Sequence, residues 1–67
     1  MALVFCRLEI LTRDAVGVQV IATRYVIGAT LIEIQETADC ACRRAKAPGY
    51  RLYDLHTAHV EEVWEDV

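Results

Sequence analysis

The residues best equipped for chemistry are two thiols and two imidazoles: Cys40-Ala41-Cys42 and, after 13 intervening residues, His56-Thr57-Ala58-His59. Sulfur and imidazole nitrogen are the usual ligands of tetrahedral zinc. The local spacing works against a shared metal. Zinc-finger pairs keep about two to four residues between cysteines and three to five between histidines, whereas here there is one residue and there are two. On a helix, Cys40 and Cys42 would point about 200° apart. A small zinc- or thiol-dependent protein using Cys40, Cys42, His56 and His59 therefore stands as an alternative rather than the favoured reading.

Other chemistry finds less support. Cys-x-Cys departs from the Cys-x-x-Cys spacing of redox pairs. Cys6 or Cys40 with His56 or His59 lacks the surroundings that make a nucleophile pair. The chain contains no serine and no asparagine, and it has no Gly-rich phosphate loop, which removes the commonest hydrolase arrangements. No catalytic residue is assigned, no cofactor is expected, and the protein is read as a non-enzyme.

The net charge of −3 gives no general affinity for nucleic acid or an anionic membrane. Up to residue 60 the chain is close to balanced; Glu61, Glu62, Glu65 and Asp66 make it acidic. With Trp64 and Tyr53 they form the candidate interaction surface, able to dock on a basic partner. As a helix, their simplest role is a solvated face. Arg43, Arg44, Lys46 and Arg51 are the candidate basic patch of a weak nucleic-acid binder. The first three suit the last turn of a helix on dipole grounds alone, and Tyr50 and Tyr53 are too sparse for a stacking platform.

The elements that must position these groups start from the most apolar stretch, Val16 to Gln35. Its 20 residues match a membrane span in length, but Gln19, Arg24 and Glu33 interrupt it at a cost no bilayer centre favours. Its β-branched and aromatic residues suit strands. Gly28-Ala29 offers a two-residue hairpin turn, giving expected strands over 16–27 and 30–35. The first of these is apolar on both faces, the pattern of a strand inside a sheet or covered on both sides. Leu3 to Leu11 alternates, with Val4, Cys6, Leu8 and Ile10 on one face and Phe5, Arg7 and Glu9 on the other. A helix is expected from about Thr37 to Ala47, carrying Ala38, Ala41, Cys42 and Ala45 as its apolar stripe and stopped by Pro48-Gly49. Tyr50 to Leu55 reads as a further strand. The last segment fits a short helix, with Val60, Val63, Trp64 and Val67 in phase, or a strand.

The expected architecture is one α+β domain over residues 1–67: a small antiparallel sheet, made of a three-stranded meander and a fourth strand, with one helix packed on it and a short C-terminal helix or strand. A chain of this size buries only ~60% of its unfolded surface, and 55% of its residues are hydrophobic. A dimer would bury the surplus. Three cysteines and an N-terminus without the features of a secretory signal point to a reducing, cytoplasmic setting. The function expected is a non-catalytic small interaction module acting by protein–protein binding, homodimeric, of the accessory or inhibitory kind that phages and mobile elements carry.

Overall fold

The computed structural model describes residues 3–65. Four strands and one helix follow in the order β1 (Val4–Arg13), β2 (Val18–Gly28), α1 (Leu31–Ala45), β3 (Gly49–Asp54) and β4 (Val60–Trp64). The strands form one sheet in the order β2-β1-β3-β4, antiparallel at every step. The α+β class and the single packed helix are as the sequence indicates.

β1 and β2 form a hairpin whose turn is built by Asp14. Its Oδ1 accepts from the backbone of Val16 at 2.8 Å and Gly17 at 3.2 Å, the local bonding that makes Asp a turn former. The register slips between Ile10 and Leu11. From β2 the chain crosses over the sheet as α1 and returns as β3 on the other side of β1. β2 and β3 are therefore parallel, with β1 between them.

The stretch 30–35 is a correction: it is not a strand but the start of α1. Thr30 is the N-cap, its hydroxyl accepting from Glu33 N at 3.3 Å, while the Glu33 carboxylate accepts from Ala29 N at 2.9 Å. This is close to the reciprocal capping box that Thr-x-x-Glu encodes. Local β propensity of Leu31, Ile32 and Ile34 loses to the cap and to helical burial. Ile34, Ala38 and Cys42 recur every fourth residue and are the buried stripe. Gly28-Ala29 consequently joins a strand to a helix rather than two strands. At the other end Lys46 adopts the left-handed conformation (φ 55°) and its N–H caps the helix, bonding Arg43 O.

The last segment is the strand β4 rather than a helix, paired with β3 from Gly49↔Trp64 to Tyr53↔Val60. Val67 lies outside the described residues.

The core lies between α1 and one sheet face. β1 supplies Cys6, Leu8 and Ile10; β3 supplies Tyr50 and Leu52; α1 supplies Ile34, Ala38 and Cys42, with Ala47 following. No residue of β2 is buried. This overturns the expectation that the two-sided apolar strand lies inside the sheet or is covered on both sides: it is one of the two edges.

Candidate interaction surface

The face of the sheet away from α1 carries a polar and aromatic stripe across three strands. Alternation puts Arg7, Glu9, Leu11 and Arg13 of β1 on this face, opposite the core residues. Arg51 is the hub. Its Nη1 donates to Glu9 Oε1 at 3.2 Å and to Tyr53 Oη at 3.2 Å; its Nε and Nη2 both donate to Glu62 Oε1, at 3.0 and 2.9 Å. Glu62 Oε2 accepts from Trp64 Nε1 at 2.7 Å. Two further cations cap the ends: Arg13 lies 4.0 Å over the Trp64 ring and Arg7 lies 4.2 Å over the Tyr53 ring. Donation from Trp64 and then from Arg51 holds the Glu62 carboxyl below its ordinary range, while acceptance by Glu62 and then Tyr53 pushes the Arg51 pKa up.

The candidate acidic surface is divided by the strand. Neighbouring residues on β4 project to opposite faces. Glu62 is neutralised in the stripe, while Glu61 turns toward α1 and accepts from Gln35 Nε2 at 3.2 Å. Glu65 follows the strand, its N–H donating to Pro48 O at 2.7 Å. Asp66 lies outside the described residues. Trp64 leans across Gly49: a Cβ there would lie 2.5 Å from the indole Cε3. The same register sets Leu11 beyond Gly49, and Leu11 is fully buried without belonging to the helix-side core.

The basic residues also separate. Arg43, Arg44 and Lys46 occupy the end of α1, on the opposite side of the sheet from Arg51, whose guanidinium is already engaged. Cys40 is exposed and Cys42 buried, the latter donating its S–H to Gly49 O at 3.4 Å. His56 and His59 belong to the turn after β3, roughly 16 Å along that strand from Gly49 at the usual rise. Among the described residues, no group of three or more His, Cys, Asp or Glu is arranged to hold a metal ion. In that turn Asp54 Oδ1 accepts from the backbone of His56 and Thr57, which lowers its pKa. Burial raises the thiol pKa of Cys6 and Cys42, aided by Asp54 and by Asp39 and Glu65 respectively.

The surface that sequence reasoning missed is the outer edge of β2. Val18, Val20, Ile21, Tyr25 and Ile27 are all exposed, Tyr25 at 74%. Of its 11 residues all but the bulged Ile21 pair with β1, and none pairs on the other side. The signal was present as two-sided apolarity in Val18–Ile27. Beside this edge, between β2 and α1, lies an open cleft of about 680 Å³ lined by Arg24, Glu36, Thr37, Cys40 and Arg44 among others. No described helix is long and apolar enough to cross a membrane. Compared with protein-family models, curated proteins and solved structures, the chain matches none.

Proposed function

We propose that this protein is a non-catalytic interaction module that works by binding protein through the edge of its sheet. One observation carries the reading: the strand whose composition is that of a sheet interior occupies an edge. Edge strands are ordinarily kept from pairing by short length, inward charges, lysine or proline. β2 is 11 residues long and holds neither lysine nor proline; Arg24 is its one charge and Ile21 its one bulge. A strand added along it would satisfy its free N–H and C=O groups and cover its apolar side chains, the mode of recognition known as β-augmentation. The three unpaired cysteines support a reducing, cytoplasmic setting.

The experiment is size analysis of fluorescently labelled chain, both in buffer and in lysate of its source cells. The expected result is a species larger than the single chain, lost on the double substitution Ile21→Lys, Ile27→Lys. These exposed positions tolerate lysine in the isolated fold. A species of single-chain size in both settings would overturn the reading.

A further inference from the structure

We infer that the occupant of the β2 edge is a second copy of this chain, joined across a two-fold axis at Tyr25 into a continuous eight-stranded sheet. The inference rests on the protein-binding role above and names its partner.

Charge placement points to a second copy as the partner and narrows the register. When an antiparallel pair forms across a two-fold normal to the sheet, paired residues share a face, so one residue sits on the axis. The candidates on β2 differ in what they bring together on α1. The helix starts beside the end of β2, since a Cβ at Gly28 would lie 3.1 Å from Ile34 and 3.5 Å from Glu33. It then runs back along the strand. One strand residue advances as far as roughly two helix residues, which sets Tyr25 level with about Cys40. With Thr23 on the axis, Arg44 would meet Arg44 of the other copy. With Arg24 on the axis, that arginine would face itself. With Ile27 there, Glu36 would face Glu36. Tyr25 on the axis puts Glu36 of each copy across from Arg44 of the other, with the two Cys40 side chains nearest the axis. The stripe Glu36, Cys40, Arg44 is thus its own complement in an antiparallel pair.

α1 packs over β1 and reaches both β2 and β3. Glu36, Cys40 and Arg44 line the cleft on its β2 side, so these side chains are the ones a second copy added along β2 would meet. The cleft beside β2 is the space that the second copy's side chains enter. On the open face the two Tyr25 rings meet as a cross-strand aromatic pair, and Thr23 of each copy lies opposite Ile27 of the other. Thr23, Tyr25 and Ile27 turn their backbone groups outward, so overlap of residues 22–28 makes about six backbone hydrogen bonds, within the range of specific protein interfaces.

The test uses purified chain alone, so that it separates from the lysate experiment. Sedimentation is followed from nanomolar to millimolar protein, with a short bis-maleimide to trap neighbouring Cys40 thiols. The expected result is a reversible dimer that cross-links through Cys40. Tyr25→Lys, which sets two ammonium groups on the axis, should leave monomer with unchanged circular dichroism; Thr23→Lys serves if that variant fails to fold. Arg44→Glu should weaken the dimer on the order of tenfold, and adding Glu36→Arg should restore it, as expected for exposed ion pairs made twice per dimer. Monomer at every concentration overturns the inference, and complexes in lysate would then leave the protein-binding role standing with another partner. A dimer indifferent to both lysine substitutions, or one that the charge swap does not rescue, overturns it as well.

Discussion

Glu62 ties β4 to β3 by one carboxylate, and its chemistry helps to set the acid limit of the fold. Its pKa lies below the ordinary 4.5 because Trp64 and Arg51 bond the charged form; that of Asp54 lies below 3.8 because two backbone N–H groups do the same. A group depressed on folding contributes stability above its unfolded pKa and loses it as pH falls through the folded value. At the alkaline end the sign reverses. Cys6 and Cys42 are raised above 9.0, and Tyr50 is raised from 10.0 to about 12 by burial and by Asp39. Their contribution is complete below about pH 9 and lost as pH rises beyond it. Urea midpoints should therefore fall below about pH 4.5 and above about pH 9. Glu62→Gln should flatten the acid limb, and Tyr50→Phe the alkaline one. The cysteines give a second prediction: iodoacetamide on the native protein should label exposed Cys40 and spare buried Cys6 and Cys42 until denaturant is added, as mass spectrometry of the digest would show.

At the scale of elements, stability depends on how the chain enters and leaves each one. Thr30→Ala removes the cap of α1 and should cost about 1 kcal/mol in equilibrium unfolding. Gly49→Ala should cost more, about 1–3 kcal/mol, because the new methyl displaces the Trp64 indole; the emission of this single tryptophan should shift to the red. How far these elements were legible follows from the same physics. β1 was readable because its alternation is clean, and its core set Cys6, Leu8 and Ile10 is the buried one. The second half of α1 was readable from its small-residue stripe. Its first turn was hidden because Leu31, Ile32 and Ile34 favour strands locally, although Thr30 and Glu33 spelled out the cap. β4 was ambiguous because Val60 and Trp64 fit both periods, with Val63 for a helix and Ala58 for a strand; pairing with β3, a contact distant in sequence from everything local, decided it. The dispersal of the acidic and basic candidates was invisible for the same reason, since only the strand assignment sends Glu61 and Glu62 to opposite faces. Arg51 was singled out for phosphate, yet its charge is consumed by Glu9 and Glu62, which only the sheet order brings beside it.

For the whole molecule, a core of so few large side chains leaves little reserve. Leu8 is fully buried at the centre of β1. Leu8→Ala should cost about 2–5 kcal/mol, against a total of roughly 3–10 kcal/mol for a chain this long, and a thermal melt should show loss of most or all of the cooperative transition. β1 holds that position because it is hydrogen-bonded on both sides, to β2 and to β3. This has a consequence for biosynthesis. A ribosome makes β1, β2 and α1 before it makes β3, so the nascent hairpin carries two open edges for the seconds that elongation takes. The inner edge of β1 closes only when Tyr50 and Leu52 emerge. A slow codon cluster over residues 36–48 would lengthen the interval in which the wrong edge of β1 is available to a neighbouring chain, and fast translation through that segment would shorten it.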